Sequence, residues 1–190
     1  SGQSLCIIGT SGCGKSVTLK HILGLTRPTN GRIIIDGYDI TRFNDKQMRQ
    51  HRKKFGVLFQ SAALFDDMTI EDNILFPLNE DFSLSSKEKK EKLNELMAQI
   101  SLTHLLYKHP NQLSIGEKKR VGLARALITK PKIILYDEPT TGMDPLMCET
   151  IDSLIKTVSQ NNKNLTSVII SHDLKAALTI SDNILMLYNG

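Results

Sequence analysis

Eight residues near the start of the chain, Gly9-Thr10-Ser11-Gly12-Cys13-Gly14-Lys15-Ser16, constrain the fold more than any other feature. They match GxxxxGK[ST] at every required position. A short apolar run, Leu5-Cys6-Ile7-Ile8, precedes them, and helically spaced apolar residues (Val17, Leu19, Ile22, Leu23) follow. A buried strand must therefore run into the loop and a helix must leave it. Glycines there let backbone N–H groups curl round a phosphate, and the helix N-terminus adds partial positive charge. Lys15 supplies a mobile cation to the β- and γ-phosphates of a nucleotide, and the Ser16 hydroxyl is a ligand for Mg²⁺. Cys13 reads as a small loop residue whose backbone matters, not as a redox centre.

The rest of the chain alternates in the same way. Phe55 to Phe59, Ile133 to Tyr136, Val168-Ile169-Ile170 and Ile184 to Leu187 read as strands. Ile33-Ile34-Ile35 followed by Asp36-Gly37 reads as a strand and a tight turn. Ser85 and Glu88 fit a capping box, and Leu93, Leu96, Met97 and Ile100 then recur at helical spacing. The charged run Lys87 to Lys92 is the solvated face of that helix. Met147, Ile151, Leu154, Ile155 and Val158 form another helical stripe, and a short helix follows at Leu174 to Leu178. Uninterrupted apolar strands between helices imply an α/β fold, a mostly parallel sheet covered on both faces. A helical subdomain is expected as an insertion at about 62–128.

With 190 residues, 40% of them hydrophobic, the chain can bury one core and is expected to be one domain, 1–190. It begins inside one apolar run and stops at Asn189-Gly190 just after another, so it is expected to be cut at both ends. No apolar run approaches the roughly 20 residues that cross a bilayer, and no signal-peptide pattern opens the chain, so a soluble cytosolic protein is expected. Three cysteines without metal-ligand spacing argue against a disulfide framework. The net charge of +4 suits an anionic ligand but reads first as a lysine-rich surface. Only 5% of residues are aromatic and none is Trp, so no base-stacking platform and no nucleic-acid partner are expected.

Ile133-Ile134-Leu135-Tyr136-Asp137-Glu138 supplies the second half of a nucleotide site. A buried strand ending in a carboxylate is how P-loop NTPases hold Mg²⁺ beside the loop. Asp137 takes that role, through water, and Glu138 is placed to polarise an attacking water as general base.

Four further elements resemble, in order, those of ABC ATPases, and the motifs together span Gly9 to His172. Gln60, closing the Phe55–Phe59 strand, resembles the Q-loop glutamine. Leu113-Ser114-Ile115-Gly116-Glu117 is similar to the LSGGQ signature, Thr141-Gly142-Met143-Asp144 to the D-loop, and Ser171-His172-Asp173 to the H-loop. The resemblance implies ATP and Mg²⁺ as cofactors. It also implies an ATP-hydrolysing dimer in which Ser114 and Gly116 of one subunit contact the γ-phosphate held by the other's loop, the second subunit being a copy or a homologous ATPase. His172 would touch the γ-phosphate as a switch residue. Gln60 would link Mg²⁺ to a transmembrane permease subunit, which puts the chain at the cytoplasmic face of the inner membrane as a peripheral protein. The family's adenine-stacking aromatic residue lies upstream of where this chain starts.

Ser114 and Glu117 also form a capping box for the helix that begins there, and both readings can hold. The signature departs from the family pattern at Ile115, where a glycine is usual, and at Glu117, where a glutamine is; activity is expected, at a slower rate. A finer resemblance, of Phe59 to Ile70, Asn73 to Leu78, Arg120 to Leu127 and Tyr136 to Gly142, is to bacterial Mla-type phospholipid-transport ATPases. It implies the ATPase subunit of a lipid transporter. The rival readings are a soluble non-transport ABC ATPase, a transporter subunit for another cargo, a P-loop kinase and a nucleotide-binding regulatory subunit.

Overall fold

The computed structural model describes residues 2–79, 81 and 83–188, so the closing Asn189-Gly190 lies outside them. Strand β1 (Ser4–Ile8) leads through the glycine-rich loop into helix α1 (Lys15–Ile22). Strands β4 (Phe55–Leu58), β5 (Ile133–Asp137), β6 (Thr166–Ser171) and β7 (Asn183–Met186) join β1 in one sheet. Its order is β4-β5-β6-β1-β7, and every pairing in it is parallel.

Side chains alternate between the faces of a strand, so each apolar run feeds two cores. Cys6, Ile134, Tyr136 and Ile169 enter one. There they meet helices α5 (Ile115–Leu127), α6 (Pro145–Asn161) and α7 (Leu174–Ile180) through Leu123, Ile151, Ile155 and Ala177. Their sequence neighbours Ile7, Leu135 and Ile170 face the other side, against Leu19 and Leu23 at α1. Each such aliphatic burial contributes about 1.5–3 kcal/mol, which is why runs with no polar residue were needed in strands covered on both faces.

A third cluster belongs to helices α3 (Ile70–Leu75) and α4 (Ser86–Gln99) packed on the outer face of α5. Ile70, Ile74, Leu93, Met97, Val121 and Ala124 form it. α4 starts at the expected Ser85–Glu88 capping box. Two short strands, β2 (Ile34–Ile35) and β3 (Tyr38–Asp39), pair as a hairpin apart from the main sheet. Asp36 (φ 52°) and Gly37 (φ 80°) both take positive φ, as a tight hairpin turn requires. β7, apolar in sequence, is exposed along its whole length at the sheet edge.

Helix α2 (Asp45–Arg52) has no counterpart in the apolar pattern. Its Asn44–Gln47 capping box starts it, and its only buried residue is His51, whose Nε2 lies 3.2 Å from the Ile22 carbonyl oxygen.

Asp152 of α6 is buried, and its Oδ1 has no hydrogen-bond partner among the described residues. Desolvation, then the nearby Asp173 and Glu149, push its carboxyl from 3.8 up to about 6, with Lys175 opposing. The folded state thus binds this proton more tightly than the unfolded chain, so the group costs nothing below the unfolded pKa and stability falls as pH rises from 3.8 to about 6. Asp152→Asn is expected to raise stability by about 1–2 kcal/mol at pH 7.5 and to gain nothing near pH 4. Denaturant melts of both proteins across that range check it; a pH-independent difference would refute the ionisation account.

Candidate functional site

In a parallel sheet all strands end at the same edge, so β1, β4, β5 and β6 deliver their following loops together. The register makes this concrete: Ile8 lies opposite Ser171, and Asp137 opposite Ile170. The glycine-rich loop, Gln60, the Asp137-Glu138 pair and His172 therefore share one edge.

In the loop, Gly14 takes φ 102° as the N-cap of α1, a conformation that L side chains rarely adopt. Gly9 is required by space, since a Cβ there would lie 2.4 Å from the Leu187 carbonyl oxygen. Thr10, Ser11 and Gly12 form the exposed or part-exposed arc, and Cys13 is buried beneath it. Lys15 is only 5% exposed, and its Nζ donates to the carbonyls of Gly9 (2.8 Å) and Thr10 (2.9 Å). The ammonium is thus held under the arc of the loop, and side-chain torsions alone can swing it to a phosphate.

The Ser16 hydroxyl donates to Asp137 Oδ1 at 3.0 Å. Two hard oxygen ligands from different elements meet beside the loop, the donor chemistry Mg²⁺ selects. Among the described residues no cluster of three or more His, Cys, Asp or Glu could hold a metal by itself. Mg²⁺ is commonly held by one or two protein oxygens, with phosphate oxygens and water completing the shell.

Glu138 follows with φ 46°, a strained conformation for a non-glycine residue. Its backbone N–H bonds to the Ile170 carbonyl at 3.0 Å, which fixes the turn. Thr141 Oγ1 donates to Glu138 Oε2 at 2.9 Å, and His172 Nδ1 stands 3.7 Å from the same oxygen. His172 is exposed, just before Asp173, which caps α7 through the N–H groups of Lys175 and Ala176. A carboxylate oriented by one donor, with an imidazole beside it, can accept a proton from water.

Gln60 is exposed in the turn after β4, and among the described residues its side chain makes no hydrogen bond. The next residues are the tense ones: Ala62 (φ 62°) and Ala63 (φ 47°) are consecutive left-handed alanines. Arg125 of α5 clamps them, Nη2 donating to the Ala62 carbonyl at 2.6 Å and Nη1 to that of Ala63 at 2.7 Å. Buried Asn73 holds the far side of this loop through Phe65 N, Phe65 O, Met68 O and Thr69 O. Neither Arg125 nor Asn73 was legible as a loop clamp from sequence. Of the apolar residues between 62 and 76, Ala62, Ile70 and Ile74 are buried, while Ala63, Phe65 and Phe76 are exposed. Phe65 and Phe76 stack at 4.7 Å between centroids.

Ser114 and Gly116 stand at the N-terminus of α5, and no hydrogen bond or ion pair joins them to the glycine-rich loop among the described residues. Within one chain the structure does not bring the two together. The capping box is present: Glu117 Oε2 accepts from Ser114 N (2.8 Å) and Oγ (2.7 Å). Those Ser114 hydrogen bonds hold the Glu117 carboxyl below its ordinary value. Ile115 is 58% exposed at this tip. Gly116 lets the Met147 side chain of α6 lie against α5, since a Cβ would meet the Met147 Cε at 1.8 Å and push that flexible side chain aside.

Residues 1–141 match the family described as ABC transporter. The methionine import ATP-binding protein MetN of Cutibacterium acnes is 40% identical over 189 residues, 100% of this chain and 51% of that protein. The probable ribonucleotide transport ATP-binding protein mkl of Mycobacterium tuberculosis is 41% identical over 188 residues, 99% of this chain and 52% of that one. The chain spans about half the length of the curated relatives it matches. Among solved structures, the dimeric post-hydrolysis state of the ATP-binding cassette MJ0796 with ADP and Pi superposes with TM-score 0.88 at 33% identity, covering 100% of this chain and 82% of that one. Clostridium perfringens cbiO1, part of the transporter complex cbiONQ, gives 0.90 at 28%, covering 100% and 74%.

Proposed function

This chain belongs to the ABC transporter family, and from that premise we propose that it is the ATP-binding and ATP-hydrolysing subunit of a membrane transporter. The observation that carries the reading is the convergence of Lys15, Ser16, Asp137, Glu138 and His172 at one edge of the sheet. Backbone N–H groups from Gly9 to Ser16 cradle the phosphates, and Lys15 neutralises charge on the β- and γ-phosphoryl oxygens. Ser16 and Asp137, with Gln60, would hold Mg²⁺, which would offset charge on the phosphoryl oxygens. Glu138 takes a proton from water as the water oxygen bonds to the γ-phosphorus. The bond to the β-phosphate oxygen breaks, leaving ADP and inorganic phosphate. Thr141 orients the carboxylate, and His172 contacts the γ-phosphate.

A second copy, or a homologous subunit, supplies the tip of α5 with Ser114 and Gly116 against that γ-phosphate. The dimeric cassette relative supports this arrangement. The helical segment at about 62–128, with its own apolar cluster, is the subdomain that moves with the tip. Exposed Ala63, Phe65 and Phe76, with half-buried Leu64, form the contact for a transmembrane permease; the family resemblance supports a peripheral position at the cytoplasmic face of the inner membrane. No helix among the described residues is long and apolar enough to cross a membrane. We assign phospholipid or another lipid as cargo from the Mla-type resemblance. The relatives named for methionine import and ribonucleotide transport keep small polar solutes as the second reading.

The full-length protein with its membrane partner is expected to release phosphate steadily from Mg-ATP with no acceptor added. Leu64→Glu should keep Mg-ATP binding and lose co-purification with the permease. Binding without release would instead indicate a regulatory subunit, and acceptor-dependent turnover a kinase.

A further inference from the structure

Lys119 of α5 is 2% exposed, in a run Lys118-Lys119-Arg120 whose sequence reads as solvated surface. Its Nζ lies 3.4 Å from the main-chain carbonyl oxygen of Glu138. Among the described residues it makes no ion pair within 4.0 Å, and the charged groups that face it are the carboxylates of Asp137 and Glu138. Burial is the largest influence on the ammonium, and those two carboxylates oppose it. Taking an ammonium out of water costs several kcal/mol, and one long hydrogen bond does not offset that. A leucine or methionine at this position of α5 would pack without the cost. Lys119 is therefore poorly explained by stability alone.

The group it meets is informative. Glu138 is held at φ 46°, and the atom that Lys119 addresses is the carbonyl of that strained residue. The Glu138 N–H is taken by the Ile170 carbonyl, so the lysine addresses the other backbone polar group of the same residue. On the helix, Lys119 lies four residues after Ile115, on the same face as the exposed tip. The first turn of α5 packs on α6, where the Met147 side chain lies against Gly116. One turn of α5 thus connects its tip to the backbone of Glu138.

We propose that Lys119 is a positioning residue for the hydrolytic step, holding the Glu138 backbone turn, and with it the carboxylate, from the signature helix of the same chain. The assignment rests on the reading of Glu138 as general base. By this route a displacement of the α5 tip, when a partner's nucleotide docks there, reaches the base without passing through solvent. Lys119 acts through the Glu138 backbone and not on the reacting atoms.

The test compares Lys119→Met, which keeps the apolar stem, and Lys119→Arg with the wild-type full-length protein, with Glu138→Gln as reference. Steady-state phosphate release gives kcat and KM, a fluorescent ATP analogue gives nucleotide affinity, and thermal melting gives stability. Lys119→Met is expected to lose about 10- to 100-fold in kcat, the size of a small misplacement of a reacting group. KM, analogue affinity and melting temperature should stay within about twofold or a few degrees of wild type, and Lys119→Arg should recover most of the rate. Should Lys119→Met not fold, Lys119→Leu, which also removes the donor, carries the same readings. An unchanged kcat, or a loss shared equally by affinity and melting temperature, overturns the positioning role. If wild type turns over and Glu138→Gln does not, only this inference then falls. A wild type without turnover overturns the ATPase reading and this inference together.

Discussion

Glu138→Gln is expected to bind Mg-ATP as wild type does and to hydrolyse it about 10²–10⁴-fold more slowly, the usual contribution of a positioned general base. The amide has the shape of the carboxylate and can still accept from Thr141 Oγ1, now 2.9 Å from Glu138 Oε2. What it loses is the capacity to take a proton from water. Its effect should therefore fall on kcat and leave nucleotide affinity within about twofold. Phosphate-release kinetics beside equilibrium nucleotide binding separate the two. Turnover at the wild-type rate would remove Glu138 from the role of base, and the burden would pass to His172, 3.7 Å away.

Lys15→Ala is expected to abolish productive nucleotide binding, weakening affinity at least about 10²-fold, since charge-assisted contacts to two phosphates disappear together. Lys15 is the one side-chain cation inside the loop, and its ammonium is already gathered by the Gly9 and Thr10 carbonyls. The fold should survive, because the sheet and the apolar clusters contain no part of this side chain. Circular dichroism and nucleotide titration on one preparation check both halves. Near-wild-type affinity would contradict the placement of phosphate at this loop.

The strands of the main sheet were legible because each is buried on both faces and so carries no polar interruption; Ile133 to Tyr136 is the plainest case. Their order was not, since nothing local in Cys6 or Ile169 says that β1 sits between β6 and β7. Helix α2 was hidden because its inward residue is a histidine, so apolar periodicity had nothing to register. The run Ile184 to Leu187 read as a strand from its apolar residues; β7 forms there but is exposed, although β4 at the opposite edge of the sheet is largely buried. The glycine-rich loop announced itself through residue types that only one backbone path uses. Lys119 did not, because a lysine between a lysine and an arginine looks the same in sequence whether solvated or buried. The strained Ala62-Ala63 pair was equally silent, since alanine carries no mark of positive φ, and only the Arg125 clamp explains why it holds.

We propose that ATP is held between two copies, each lending its α5 tip to the other's phosphate loop. Light scattering of Glu138→Gln after size exclusion, with and without Mg-ATP, tests it most directly. The account predicts a mass that doubles with Mg-ATP and returns to the monomer value when nucleotide is removed, with Ser114→Arg at the α5 tip abolishing the shift. A variant that binds Mg-ATP stoichiometrically and stays monomeric at high protein concentration would contradict it.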